Sequence, residues 1–312
     1  MTPASDSSAS AWSREYWREN ACVAGNKTVG VLRSSSVSSS CSRRILFLCI
    51  TLVIAVLALR EWNLQEDGRL HLRFLDVGQG DSALITTPGG KTILVDGGPD
   101  WSTLESLGEF LPFFRRRIDL LQLSHPNLDH LLSFPEILKR YDVGGILVAE
   151  VDHSLPRYNE IFALAAQRAI PVIRVYAGKT FDLGDGMTMR ILWPPKRMPA
   201  GFSKETNNTS VVFMLEYQDK RALFTGDAEK QVEETLVRSR IDLRADILKV
   251  GHHGSLTSST TAFLRAVRPK IAVLSVGKNS YGHPRPEVLE TLRKVGAEVR
   301  RTDTEGTIEI IW

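Results

Sequence analysis

The segment Ser124-His125-Pro126-Asn127-Leu128-Asp129-His130 puts two imidazoles and a carboxylate within six residues. It follows the run Ile118-Asp119-Leu120-Leu121-Gln122-Leu123, which reads as a buried strand. Donors of these types at the exit of a rigid strand converge on one point, and the chemistry they suit is metal binding. Imidazole favours zinc, and the added oxygen donors extend the choice to manganese or iron. The chain has only seven histidines, and five of them stand in short motifs of this kind. His252 and His253 fall in Gly251-His252-His253-Gly254-Ser255, and His283 in Tyr281-Gly282-His283-Pro284-Arg285-Pro286. Carboxylates recur in the same position after apolar runs: Asp76 and Asp81, Asp96, and Asp227. His71 and His153 lie outside any motif and read as structural.

These residues need strands to deliver them. Leu70-His71-Leu72-Arg73-Phe74-Leu75 alternates as a half-buried strand and runs into Asp76-Val77-Gly78-Gln79-Gly80-Asp81-Ser82. The two glycines there allow close backbone approach to a site, and Asp76 and Asp81 read as organisers of that loop. A hairpin over 83–95 ends in Asp96-Gly97-Gly98. A helix is expected over 102–114, closed by Arg115-Arg116-Arg117 as cations at its C-terminus, with a phosphate-contacting patch as the alternative.

Beyond His130, helices over 135–140 and 158–168 alternate with strands over 146–149 and 172–175, which implies a mixed sheet covered by helices. Residues 193–204 lack periodicity and read as a surface loop, a candidate lid. A strand over 211–217, a turn and a strand over 222–225 then end in Gly226-Asp227, echoing 83–98. Two such halves would face two aspartates toward one cleft between two sheets. Helices over 228–238, 260–267 and 287–295 and strands over 246–250, 271–276 and 307–312 complete the chain. The donors thus fall at C-terminal strand ends, where α/β sheets build their sites.

The bulk composition sets limits. At 312 residues, 43% hydrophobic and 24% charged, the chain is ordinary for one large domain or two small ones. The first 60 residues hold seven Lys/Arg against three Asp/Glu, which leaves 32 against 33 in the remainder. A net of −1 there excludes nucleic-acid binding through bulk charge, so any such binding must use a local patch or bound metal. Cys22, Cys41 and Cys49 all precede residue 50, so the globular part has neither a disulfide framework nor a thiolate metal site.

Residues 1–42, rich in serine and small polar residues, read as a disordered tail. Arg43 and Arg44 precede an uncharged run of 15 residues, 45–59, closed by Arg60 and followed by Trp62. As a helix the run spans roughly 22 Å, short of a ~30 Å hydrocarbon core unless the arginines snorkel. Three readings follow: a single membrane anchor over 43–62, the apolar region of a signal peptide, or a buried core helix. As an anchor, its flanking charge places the tail in the cytoplasm and a domain over 63–312 across the membrane.

The motifs together resemble the metallo-β-lactamase superfamily, whose fold is a four-layered αββα sandwich of the α/β class with an HxHxDH metal motif. More narrowly, Leu75-Asp76-Val77-Gly78-Gln79-Gly80-Asp81-Ser82, Leu94-Val95-Asp96-Gly97-Gly98, Thr225-Gly226-Asp227, Leu248-Lys249-Val250-Gly251-His252-His253-Gly254-Ser255 and Tyr281-Gly282-His283-Pro284 resemble the C-terminal domain of ComEC. ComEC is the DNA-uptake channel of naturally transformable bacteria. The likeness covers about residues 70–312 and none of that family's many-helix channel.

The resemblance implies one or two divalent cations, zinc or manganese. The first subsite takes His125 and, two residues on, Asn127, where the family carries His or Asp. The superfamily's third histidine falls near Asn207 and Asn208. The second subsite takes Asp129, His130, a bridging Asp227 and one of His252 or His253, with His253 favoured. Asp129 would also orient the attacking water, Asp96 would ligate or support His125 or His130, and His283 would protonate the leaving group or contact phosphate. The implied activity is phosphodiester hydrolysis, with DNA as substrate during uptake and a separate channel protein as a partner. The alternatives are a hydrolase of the same fold acting on a small phosphoester, and a binding module that lost hydrolysis through Asn127.

Overall fold

A computed structural model describes residues 39–64, 67–199, 202 and 206–312. The tail reading of residues 1–42 lies almost wholly outside these. The chain divides into two compact units, Met1–Val56 and Leu57–Trp312.

The apolar run forms part of α1 (Ser39–Asn63), whose 25 residues extend well past the run at both ends. Arg43–Trp62 is thereby long and apolar enough to cross a bilayer. The side chains of Ile45, Phe47, Ile54 and Leu59 are exposed, which removes the reading of a buried core helix.

The second unit begins with β1 (His71–Phe74), β2 (Ala83–Thr86) and β3 (Thr92–Val95), an antiparallel meander. Next, α2 (Ser102–Phe110) stops four residues before the expected end. Pro112 is the cause: it drives Leu111 into extended backbone, φ −101° and ψ 144°. The arginine triplet therefore does not close a helix. Arg117 opens β4 (Arg117–Ile118) and pairs with Asp119 at 2.8 Å and Asp142 at 2.6 Å. β5 (Leu120–Gln122) then delivers the His125 segment, in which α3 (Leu128–Leu131) is a single turn.

α4 (Phe134–Arg140), β7 (Ile146–Ala149), α5 (Pro156–Gln167) and β8 (Val172–Val175) follow close to expectation, while the short β6 (Asp142–Val143) was not expected. The hairpin of β9 (Thr180–Gly184) and β10 (Met187–Trp193) was not expected. β11 (Val212–Tyr217), β12 (Lys220–Phe224), α6 (Lys230–Arg238), β13 (Ile247–Lys249), α7 (Thr261–Val267), β14 (Ile271–Leu274) and α8 (Pro286–Lys294) complete the second half. β15 (Glu298–Arg301), α9 (Thr302–Glu305) and β16 (Ile308–Ile311) end it, the first two also unforeseen.

Two seven-stranded sheets result, in the orders β16-β1-β2-β3-β5-β7-β8 and β15-β14-β13-β12-β11-β10-β9. Their inner faces bury one apolar cluster, in which Phe224 stacks on Phe213 at 4.7 Å and on Phe74 at 5.7 Å. A second cluster packs α6, α7 and α8 on the outer face of one sheet, and a third packs α2, α4 and α5 on the other. The layers are αββα, as the motifs implied. Parallel pairing of β3 with β5 and of β12 with β13 brings four loops to one edge of the sandwich, where the two sheets meet.

Candidate metal centre

Three strand exits supply the site. His125 follows β5, Asp129 and His130 lie on the turn of α3, Asp227 follows β12, and His252 and His253 follow β13. Both halves of the sequence echo arrive, since Asp96 and Asp227 approach the same ring, His130. Asp96, His252 and His253 hold left-handed backbone, with φ of 59°, 48° and 52°. Non-glycine residues adopt that conformation at a cost, and such strain gathers where side chains must be aimed.

Asp227 Oδ2 is the hub. It lies 3.3 Å from His130 Nε2, 3.5 Å from His253 Nε2, 3.9 Å from His125 Nε2 and 4.0 Å from His252 Nε2. Asp129 Oδ2 adds a second carboxylate, 3.4 Å from His253 Nε2 and 3.8 Å from His130 Nε2. Asp129, His130, Asp227 and His253 each offer one donor atom within 4.8 Å of all the others.

The far side of each buried ring is fixed. His253 Nδ1 donates to the carbonyl of Ser275 at 2.8 Å, and His130 Nδ1 to Asp96 Oδ2 at 2.9 Å. His125 Nδ1 meets Ser124 Oγ at 3.0 Å, and that hydroxyl in turn donates to Asp96 Oδ2 at 2.7 Å. All three Nε2 atoms are thereby left as lone-pair donors facing the cleft. Among the described residues, these three Nε2 atoms and Asp227 Oδ1 are buried without a hydrogen-bond partner. Buried polar atoms are rarely left so, and four converging on one point fit a divalent cation.

The electrostatics agree. Burial, with His130 beside it, holds His125 down to about 3, so this ring is a neutral donor. Burial also depresses His253, but Asp227 and Asp81 outweigh it and push the ring up to about 10. His130 rises for the same reason, through Asp227 and Asp96. Asp227 is held well below the usual carboxylate range by His253 and His130 in spite of its burial. Without metal the two rings carry protons; a cation there would take their place.

The first subsite is made differently. Asn127 Nδ2 donates to Asn207 Oδ1 at 2.9 Å, and Asn207 Nδ2 reaches Glu229 Oε1 at 3.4 Å and His252 Nε2 at 3.4 Å. Glu229 Oε1 is also 3.5 Å from His252 Nδ1. The second asparagine, Asn208, faces away from the cleft. Its Oδ1 accepts from Glu229 N at 3.1 Å and its carbonyl from Trp193 Nε1 at 2.7 Å.

Of the remaining expected residues, Asp81 lies beneath the centre, paired with Lys249 and 3.4 Å from His253 Nδ1. Asp76 is not brought in: it is exposed, and its backbone N–H donates to Thr307 Oγ1 at 3.1 Å. His283 stands at the rim, its ring 5.6 Å from that of His252. Burial and the rings of His252 and His253 hold it down to about 4. It is neutral near pH 7, which suits contact with phosphate better than delivery of a proton. His71 sits between Asp67 and Glu309, and His153 Nδ1 accepts from Leu155 N, both as structural residues.

Sequence reasoning missed Ser124, Glu229 and Lys249. Lys249 had a signal, a cation inside the apolar run Ile247-Leu248-Lys249-Val250. Glu229 had a weaker one, a carboxylate two residues after Asp227.

The fold and this donor set define a class. The sequence profile of the metallo-beta-lactamase superfamily matches residues 75–278, and the chain belongs to that superfamily. Its curated relatives include competence-related proteins. It is 31% identical over 264 residues to ComE operon protein 3 of Bacillus subtilis, covering 79% of this chain and 33% of that one. It is 30% identical over 292 residues to Recombination protein 2 of Haemophilus influenzae, covering 91% and 32%. Competence protein ComA of Neisseria gonorrhoeae is 31% identical over 237 residues, covering 75% and 31%. The chain thus spans about a third of the length of these relatives, which are the ComEC-like proteins that the motifs resembled. Among solved structures, the metallo-β-lactamase fold protein YhfI of Bacillus subtilis matches with a TM-score of 0.55 at 12% identity, over 78% of this chain and all of that one. CmlA, a diiron β-hydroxylase from Streptomyces venezuelae, matches with a TM-score of 0.53 at 15% identity, over 78% and 54%. These two show the fold alone.

Proposed function

We propose that this protein is a metal-dependent phosphodiesterase that cleaves DNA, held at the membrane by α1 with its catalytic domain outside the cytoplasm. The carrying observation is the convergence of four histidine Nε2 atoms on Asp227 Oδ2. In this reading His130, His253, Asp129 and Asp227 hold one divalent cation. His125, His252 and Asp227, with the amides of Asn127 and Asn207, offer a weaker, more oxygen-rich place for a second. A cation so held supplies Lewis acidity toward a phosphate and a water whose pKa falls to about 7.

The chain's own groups do the rest. Asp129 is the partly exposed carboxylate of the set, and it is ionised because His253, whose Nε2 lies 3.4 Å away, and the nearby His130 outweigh its burial. It is placed to orient the attacking water and accept its proton. His283, neutral at the rim, donates a hydrogen bond to a phosphate oxygen.

DNA is favoured over a small phosphoester by the surroundings of the cleft. After β14, the exposed ring of Tyr281 stacks on His283 at 5.8 Å and 29°, within a loop that also carries Lys278 and Arg285. After β8, which runs parallel to β7 and β5 and so ends on the same sheet edge as the His125 segment, Tyr176 lies under Lys179 at 4.8 Å and Lys196 at 5.5 Å. Aromatic rings interleaved with cations on the site's edge of the fold are what a single strand requires, and they offset the domain's near-zero net charge. The competence relatives point the same way.

The test is to incubate the full chain, purified in detergent, with end-labelled single-stranded DNA and manganese, magnesium or zinc, beside an Asp227→Ala control. Metal-dependent cleavage lost in the control is expected. Bound metal with no cleavage of DNA, but turnover of a small phosphodiester, would replace the substrate and leave the site assignment standing.

A further inference from the structure

Phe113 and Phe114 are 62% and 88% exposed, an edge-to-face pair with centroids 5.1 Å apart. They occupy the connection from α2 to β4, directly before Arg115 and Arg116, and the Arg116 guanidinium lies 5.9 Å over the Phe113 ring. Arg116 forms no ion pair among the described residues. A cleft of ≈ 260 Å³ opens beside the pair. Its floor is apolar, from Leu104, Leu107 and Leu111, and Arg115, Arg116 and Arg140 line it.

This loop is tied to one place on the chain. Phe113 N donates to Glu61 Oε2 at 2.9 Å, and Glu61 Oε1 accepts from Arg60 Nη1 at 2.7 Å. Arg60 Nη2 donates to the carbonyls of Gly108 at 2.6 Å and Glu109 at 3.2 Å, at the end of α2. Arg60 and Glu61 are among the last residues of the apolar stretch Arg43–Trp62, and Trp62 next to them is 72% exposed.

We infer that residues 111–116 are an interfacial anchor: Phe113 and Phe114 enter the headgroup region of the bilayer that α1 spans, and the arginine-lined cleft takes the phosphate of an anionic phospholipid. The inference rests on α1 being a span. Aromatic rings with arginines also suit a protein partner, but position decides for lipid. A segment hydrogen-bonded to Glu61, and following the end of α2 that Arg60 holds, lies close to where the span leaves the hydrocarbon. Amphipathic rings and guanidinium groups at that depth partition into the interface, where a guanidinium pairs with lipid phosphate. The anchor would fix the catalytic unit's face toward the membrane rather than leave it swinging on one helix.

The full chain, with Cys22, Cys41 and Cys49 replaced by serine, would be reconstituted into vesicles of phosphatidylcholine with and without phosphatidylglycerol. Phe114→Cys would carry an environment-sensitive fluorophore, with Asp219→Cys on a remote turn as reference. Label at 114 should emit in the blue and be quenched by lipids brominated near the headgroup. The effect should grow with phosphatidylglycerol and shrink when Phe113→Ser and Arg116→Ala are added; label at 219 should read as water throughout. Water-like emission at 114 from chains that survive an alkaline wash overturns the anchor while leaving the span intact. Loss of the chain in that wash overturns the span and the anchor together.

Discussion

Much of the site is arranged by atoms that never face the cleft. Asp96 accepts from His130 Nδ1 at 2.9 Å and from Ser124 N and Oγ, both at 2.7 Å, so one carboxylate aims His130 and steadies the hydroxyl behind His125. Asp96→Asn isolates this role, because asparagine tolerates the same left-handed backbone. Its amide N–H₂ turned toward His130 Nδ1 would favour the tautomer that points an N–H at the cation. Manganese or zinc affinity should fall by about 10- to 100-fold, read by competition with a fluorescent chelator. An unchanged affinity would mean that neighbouring packing, not this carboxylate, holds the ring.

Between loops and helices, two close fits carry predictions. Gly80 lets the 76–81 loop lie against α3: a Cβ there would sit 2.4 Å from the Asp129 carbonyl oxygen and 2.7 Å from Pro99 Cδ. Neither neighbour is a flexible side-chain end, so Gly80→Ala must push the loop off Asp129 and draw Asp81 away from Lys249 and His253. Overpacking of this kind costs roughly 1–3 kcal/mol; metal-dependent hydrolysis should drop more than tenfold while circular dichroism still reports a folded chain. The other fit joins α6 to α7. Buried Glu233 accepts from Ser259 N at 2.5 Å and Thr260 N at 2.8 Å, at the start of α7. Burial nonetheless raises it from 4.5 to about 7. A carboxyl raised in the folded state binds its proton more tightly there than when unfolded. Its stabilising contribution is therefore complete below pH 4.5 and is lost as pH climbs through 7. Denaturant titrations of the parent should lose about 2–3 kcal/mol from this group between pH 5 and 8, and Glu233→Gln should flatten that slope. Parallel pH slopes for the two proteins would refute the assignment.

What the sequence revealed, and what it hid, follows the same physics. Strands carrying the donors were legible because each is an apolar run that stops at a chemically marked residue, as Thr92-Ile93-Leu94-Val95 stops at Asp96. β9 and β15 were not: they are the two edge strands of one sheet, Thr180-Phe181-Asp182-Leu183-Gly184 is only partly buried, and Glu298-Val299-Arg300-Arg301 is charged. The early end of α2 was legible too, since the residue before a proline avoids helical backbone, but the expected helix over 102–114 ran across Pro112. The histidines and Asp227 announced themselves by recurring after strands. Lys249 and Glu229 act through partners on distant loops, Asp81 and His252, and only the closed sandwich brings those together.

At the scale of the whole molecule, the donors come from both sheets: Asp129 and His130 after β5 in one, Asp227 and His253 after β12 and β13 in the other. A cation there is a cross-link between halves that otherwise meet through apolar packing and a few polar contacts such as that of Asp81 with Lys249. The cluster has a rival description, a buried network of two carboxylates and two protonated histidines that needs no metal, and proton counting separates the two. With His253 held at about 10 and His130 also raised, metal binding near pH 7 must expel about two protons. Affinity should therefore weaken as pH falls, by up to tenfold per unit for each proton displaced. Cation in hundredfold excess over its dissociation constant adds about 2.7 kcal/mol to stability, or about 5–10 °C in a domain of this size. Chelation should remove that increment, and adding manganese or zinc in weak buffer with a pH indicator should release the protons. A chain whose melting temperature ignores chelator and whose protons stay bound would hold the charge network alone, with its sheets joined by side chains instead of a metal.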